Sequence, residues 1–281
     1  MLPVALWRLL IGIAAVGLAC GGGDDSTVSV DEKTMDERLV FREAAGRELT
    51  IDDLEDISGK GKVGLEVVGA GVIPAEASRL HEEARAAGER GDYTHALDLL
   101  EQAHGLAPDW PYPVYDKAFT YLLQGDSNKA EEHYAEVDRM APRGFFTAKT
   151  SLDCLRREHA GFLPPGFCNS FATLEWMDDK VEKRALLEGI VEKFPAFPAA
   201  WQQLSSLLDD DAARLEAITR GLEHDPDGET KGMLLLNRAL VLHQRGEVEE
   251  AVKILGELAL DPGSTRATEL LAKATLARIL R

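Results

Sequence analysis

Residues 84–108 read ARAAGERGDYTHALDLLEQAHGLAP, and residues 118–142 read AFTYLLQGDSNKAEEHYAEVDRMAP. Laid over each other, they share an alanine, a glycine seven places on, an alanine five further, a small or apolar residue seven beyond that, and a closing proline. The two sets are Ala84, Gly91, Ala96, Ala103, Pro108 and Ala118, Gly125, Ala130, Val137, Pro142, spaced 34 residues apart. Ala239, Gly246, Ala251 and Leu258 repeat the spacing, with Pro262 arriving one residue early. A fixed period of this length marks a solenoid of stacked helix pairs, because one pair alone is too small to bury its apolar face.

Packing explains the spacing. Two antiparallel helices approach closely only where both carry small side chains, here Ala84 with Ala96 and Ala118 with Ala130. Glycine makes the turn between them, since it takes positive φ without steric cost. Large apolar residues recur at helical spacing in between: Leu80, Tyr93, Leu97 and Leu100, then Val114, Tyr121 and Tyr134. On these residues the chain resembles the tetratricopeptide repeat (TPR) family, with Leu80, Ala84, Gly91, Tyr93, Ala96, Leu100, Ala103 and Pro108 on its consensus positions. The second unit keeps Ala118, Tyr121, Gly125, Ala130, Tyr134 and Pro142 but has Ser127 where the first has Tyr93. The third, roughly 232–262, keeps Ala239, Leu242, Gly246, Ala251 and Leu255. The resemblance implies an all-α fold, a right-handed superhelical solenoid of antiparallel helix pairs, with a short N-terminal segment of extended character.

The N-terminus carries a second signal. Arg8 precedes an apolar or glycine stretch from Leu9 to Ala19 that runs into Cys20. That stretch is too short to span a bilayer and reads as a secretory signal over 1–19. Val16-Gly17-Leu18-Ala19-Cys20 resembles the lipobox of bacterial lipoproteins, although the box prefers leucine where Gly17 stands. The resemblance implies acylation of Cys20; the alternative is an ordinary signal cut near Ala19. Gly21 to Ser26 then form a polar tether, placed over 20–29. With Gly21 rather than aspartate after the cysteine, the expected location is the outer membrane, facing the periplasm.

Charge narrows the partners. Thirty-one basic against 49 acidic residues give a formal charge of −18, which disfavours nucleic acid, whose binding draws on Lys and Arg, and disfavours an electrostatic grip on anionic lipid. Cys154 and Cys168 lie 14 residues apart, and in an oxidising compartment a disulfide between them is the simplest reading, two separate buried thiols the alternative. Cys154 falls in a helical pattern and Cys168 in the loop after it.

Elsewhere the chain divides by composition. Residues 30–75 form an acidic and glycine-rich segment, helix-like from Met35 to Arg47 and extended around Gly59 to Gly71. Its glycines lack the Gly-x4-Gly-Lys-Ser/Thr order of a phosphate-binding loop. Residues 76–142 hold two clear repeats, 143–230 degenerate helical repeats with the cysteine-containing loop, and 231–281 a third repeat plus a cap helix, Thr265 to Leu280.

Catalytic constellations are not legible. His81-Glu82-Glu83-Ala84-Arg85 lacks the second histidine of a zinc-protease helix, and Glu131-Glu132-His133 has no partner at ligand spacing. Cys154 and His159 stand about 140° apart around an ideal helix, too far for a nucleophile and its base. Asp209 to Asp211 lacks the alternation and glycine of a calcium loop. No enzyme activity, cofactor or metal is expected. Function is expected on a concave groove lined by first helices: His81 and Arg85 in the first unit, and Tyr112, Tyr115, Phe119 and Leu122 in the second. Such a stripe either binds an amphipathic helix or extended peptide or packs against neighbouring helices. The reading is a membrane-anchored adaptor for proteins or peptides. Two alternatives stand beside it, an envelope enzyme or accessory subunit active in the N-terminal segment and a homo-oligomer joined through Tyr112 and Phe119.

Overall fold

The computed structural model describes residues 37–43, 48–49, 63–69 and 73–280. The signal, Cys20 and the tether lie outside the described residues. Two compact units divide the chain, one ending at Pro111 and the other beginning at Tyr112.

The first unit contains a three-stranded sheet in the order β2-β1-β3: β1 Glu37–Glu43, β2 Glu48–Leu49 and β3 Val63–Gly69, with β1 antiparallel to both neighbours. β3 falls inside the glycine-rich stretch read as extended. β1 overturns the helical reading of Met35 to Arg47. Pairing decides it: Leu39 stands opposite Val67, and Phe41 opposite both Leu65 and Leu49. β1 therefore carries a continuous apolar run, Leu39-Val40-Phe41, paired residue by residue along the ladder, and the charged residues at its ends do not make a helix.

Helices α1 (Ala75–Glu89) and α2 (Tyr93–Leu106) complete that unit. Ala84 and Ala96 are both fully buried, as the small-residue pattern requires, and Leu80, Leu99, Leu100 and Ala103 gather around Ala84. The turn is built by Gly91 at φ +78, while Asp92 N–H reaches back to the Ala87 carbonyl and the Asp92 side chain accepts from His95 N. The left-handed residue and the back-bonded amide satisfy carbonyls at the end of α1, and the aspartate satisfies an amide at the start of α2.

The second unit repeats this chemistry. Helices α3 (Pro111–Gln124) and α4 (Ser127–Met140) turn at Gly125, φ +80, with Asp126 N–H on Tyr121 O and the Asp126 carboxylate on Lys129 N. Next come α5 (Ala148–His159), the short α6 (Phe167–Ala172), a 3-10 turn at Thr173–Trp176, and α7 (Lys180–Lys193). α8 (Pro198–Ser205) pairs with α9 (Asp211–Leu222), α10 (Gly228–Gln244) pairs with α11 (Val248–Leu260), and α12 (Arg266–Ile279) follows. Asp210 caps α9 by accepting from Ala213 N, so the aspartate run is a helix start.

The degenerate region owes its irregularity to the segment between α5 and α7. α5 packs on α4 and α6, whereas α7 packs on α8. Cys154 and Cys168 are bonded, their Cα atoms 5.8 Å apart. Cys168 lies in the first turn of α6, not in a loop as its Phe-Pro-Pro-Gly surroundings suggest. Left-handed Gly166, φ +80, lets the chain re-enter a helix directly after Pro165. The Glu158 carboxylate, almost fully buried, accepts from Gly166 N and Cys168 N and so holds the same turn as the disulfide.

Within this unit, residues far apart in sequence close on each other. The Glu229 carboxylate at the start of α10 accepts from Phe145 N, Lys149 N and Thr150 N. It thus caps α5, whose flanking Thr147 makes no side-chain cap. Arg143 donates to Ser264 O and, at 2.6 Å, to Glu269 of α12, while Arg266 N–H donates to Arg143 O. α12 follows the expected cap helix in position, but the face it buries holds Thr268, Glu269, Ala272 and Thr275. A side chain on Gly232 would collide with Thr268, so only glycine lets α10 and α12 meet there.

Candidate functional site

The stripe on α3 is the natural place to look for a groove. Its residues are covered by the chain itself. Tyr115, Phe119 and Leu122 are buried, and Tyr112 half-buried. Phe145 and Phe146, from the loop that ends at the start of α5, meet Tyr112 edge-on at 4.9 and 5.3 Å between centroids. The same two rings lie 5.7 and 5.4 Å from Tyr115, whose hydroxyl bonds with the Thr147 hydroxyl at 2.8 Å. Trp176 of the 3-10 turn sits 5.3 Å from Phe119. Tyr115, Phe119 and Leu122 are therefore core and not an open groove wall, and of the two residues read as a self-interface Phe119 is covered while Tyr112 stays half-buried. Phe145, Phe146 and Trp176 gave no sequence signal because they belong to no repeat position.

In the first unit His81 is buried, its ring 4.9 Å from that of Trp110, which removes it too from an open surface. Arg85 is half-exposed.

What remains accessible beside the covered stripe is Glu175, next to Trp176 in the 3-10 turn. It is solvent-exposed, yet enough protein surrounds its carboxyl that burial raises its pKa to about 7, with Lys183 of α7 pulling the other way. Water reaching the carboxyl moderates the size of the rise, so the upward direction is the firm part. Burial likewise lowers the pKa of half-buried Lys183. Glu175 is also one of the charges that raise the hydroxyl pKa of buried Tyr115 and Tyr134, after burial itself. Among the described residues the carboxylate forms no hydrogen bond or close ion pair; Lys183 acts on it only through its field.

Two other polar clusters carry charge but no ligand-facing geometry. Glu229 is buried and its pKa lies well above the ordinary value, first through burial and then through Asp227. Its two oxygens are taken up by the backbone amides of Phe145, Lys149 and Thr150. On the outer surface, His159 bonds to Glu131 through Nδ1 at 2.5 Å and to Ser127 through Nε2 at 2.9 Å. A carboxylate only accepts, so Nδ1 carries a proton; the Ser127 hydroxyl donates to Nε2 when the ring is neutral and accepts from it when the ring is charged. The order is that of a serine hydrolase triad, brought together from two helices and illegible in one dimension. With His159 and Glu131 each about 30 % exposed and Arg156 also on Glu131, it straps the end of α5 to the first turn of α4. Among the described residues no group of His, Cys, Asp and Glu is placed to hold a metal ion, and no helix is long and apolar enough to cross a membrane.

Residues 232–257, covering most of α10 and α11, match the family model of the tetratricopeptide repeat. The α1/α2 and α3/α4 pairs share the glycine turn and back-bonded amide of this repeat, which makes the fold TPR-type. No curated protein matches the sequence. Among solved structures, MamA (residues 41 to end) from Desulfovibrio magneticus RS-1 is 15 % identical over 66 % of this chain and 94 % of its own, at a TM-score of 0.33. A thermophilic TPR protein of Thermus thermophilus is 16 % identical over 73 % of this chain and 98 % of its own, at 0.31. At those scores the likeness carries no weight for function.

Proposed function

We propose that this chain is a lipid-anchored adaptor of a bacterial cell envelope that holds other proteins through its TPR-type helix pairs. The observation that carries the adaptor reading is the recurrent helix pair itself, with the same left-handed turn at Gly91, Gly125 and Gly246. Such pairs present rigid side-chain arrays and no reacting groups of their own. Cys20 anchors the chain through acyl groups, which is the role its lipobox-like context supports, and the glycine-rich tether gives reach. Two or three acyl chains bind a bilayer stably, each buried methylene contributing about 0.8 kcal/mol.

The test has two arms. Growth with labelled palmitate should tag the wild type and leave Cys20→Ser untagged and released from membranes; a tagged variant would remove the anchor. Photocrosslinking groups placed in cells at exposed positions of each repeat should give discrete adducts with other proteins. If every position gave only self-adducts, the chain would be a structural oligomer.

A further inference from the structure

We infer that the Phe146 ring is a displaceable plug, and that swinging it out opens a slot between Tyr112 and Tyr115 for an aromatic side chain presented by a partner. The inference rests on the adaptor reading and specifies its ligand chemistry. Trp176 and Phe146 both cover the α3 stripe, but they are held differently. Trp176 lies on Phe119 in a segment fixed upstream by the Cys154–Cys168 bond and downstream by Asp179, which caps α7 by accepting from Val181 N and Glu182 N. Phe146 sits in a strained backbone without such fastening.

Among the described residues only Phe146, at φ +50, and Asp225, at φ +51, are non-glycine residues in the left-handed region. Aspartate tolerates that region because its short polar side chain bonds locally, whereas a bulky ring is a genuine outlier there. Nor does the N–H or C=O of Phe146 enter a backbone hydrogen bond. Ala148 N–H goes to Phe145 O, Ser151 N–H to Thr147 O, and Thr150 N–H to the Glu229 carboxylate. The flanking residues are anchored. Phe145 is fully buried with its N–H on Glu229, and the Thr147 hydroxyl bonds with that of Tyr115. Half-buried Phe146 stands between them, held by ring contacts to Phe145 at 4.7 Å, Tyr112 at 5.3 Å and Tyr115 at 5.4 Å between centroids.

Strain of this kind persists only where the surroundings enforce it, and it gathers at ligand clamps and switches. Rotating Phe146 back to negative φ relieves the strain and breaks no backbone hydrogen bond, so the ring leaves the tyrosines while Phe145 stays as the floor of the slot. The occupant follows from what fills the slot now. A phenyl ring lies edge-on to Tyr112 and tilted against Tyr115, at spacings where aromatic pairs attract beyond their buried area. A phenyl ring from an extended partner segment recovers those pairs without the backbone strain. Tyr112 is itself half-buried, so the slot meets solvent at its outer edge. Because the plug must leave first, apparent affinity in the wild type is reduced by the fraction of molecules that are open.

The experiment uses the full chain carrying ring-fluorinated phenylalanine and two blocked tripeptides, acetyl-Gly-Phe-Gly-amide and acetyl-Gly-Leu-Gly-amide. The fluorine signals of Phe146 and Phe145 are assigned by their loss in Phe146→Leu and Phe145→Leu. The phenylalanine peptide should move the wild-type Phe146 signal to the position of a solvated ring and leave that of Phe145 in place. Phe146→Gly keeps the left-handed backbone without the plug, and it should bind this peptide roughly tenfold more tightly than the wild type, read from the ring resonances of Tyr112. The leucine peptide should bind about fivefold more weakly, lacking the ring pairs. A Phe146 signal that stays in place, equal affinity in wild type and Phe146→Gly, no binding to Phe146→Gly, or equal binding of the leucine peptide would each overturn the plug. If Phe146→Gly does not fold, the wild-type Phe146 signal decides alone. An overturning result, with protein adducts still formed in cells, would leave the adaptor standing without this slot.

Discussion

Glu229 shows how much one buried side chain holds in this fold. Its two oxygens serve three backbone amides of a loop and helix about 80 residues away. Replacing it with alanine leaves those amides unsatisfied in the interior, and we expect a loss of about 3 kcal/mol or more, read as a lower urea midpoint. Glu175 is linked to stability with a definite sign. Its pKa rises from 4.5 in the unfolded chain to about 7 in the folded one, so the folded state binds the extra proton and wild-type stability falls as pH climbs through that window. Glu175→Gln lacks the term, and the stability difference between the two should move in favour of glutamine from pH 5 to pH 8. Glu269 has the opposite sign. Burial works against its charge, but Lys273, Arg143 and Arg266 hold its pKa down to about 2, so its contribution is complete above about 4.5 and lost as pH falls toward 2. At Gly232 a methyl group would strike Thr268, and Gly232→Ala should cost roughly 1–3 kcal/mol through overpacking.

At the level of elements, the turn between paired helices was legible because its chemistry is local. A left-handed glycine followed by an aspartate cap occurs at Gly91-Asp92 and Gly125-Asp126, and at Gly246-Glu247 the glycine recurs without a side-chain cap. β1 was not legible, because a seven-residue strand is chosen by its partner and β3 lies about 20 residues away. The segment from α5 to α7 was legible only in part. Two cysteines 14 residues apart marked a staple, but not the helix that Cys168 begins. Replacing both cysteines with serine should lower stability by about 3 kcal/mol, the chain-entropy value for a closed loop of this length, measured against the oxidised wild type. A much smaller loss would mean that Glu158 and the phenylalanines around α6 hold the segment unaided.

For the molecule as a whole, the consequential fact lies inside the second unit, where the start of the α5 region is tied to the starts of α10 and α12 by Arg143 and Glu229. Arg143→Ala should raise amide exchange in α12 while leaving α3 and α4 protected, because the lost contacts connect elements and do not build them. The α3 stripe answers to the same closure. Tyr115→Ala with Phe119→Ala should destabilise the unit by several kcal/mol, since both rings are packed against Phe145, Phe146 and Trp176 and not against solvent. Period, turn glycines and facing alanines determined the helix pairs by themselves, because those constraints act between residues a few positions apart. Which apolar face stays open was decided only by tertiary structure. A helix with apolar residues on two sides is the same sequence whether a ligand or another part of the chain covers the second side, and here a loop and a disulfide-held turn roughly 30 to 60 residues downstream supply the cover.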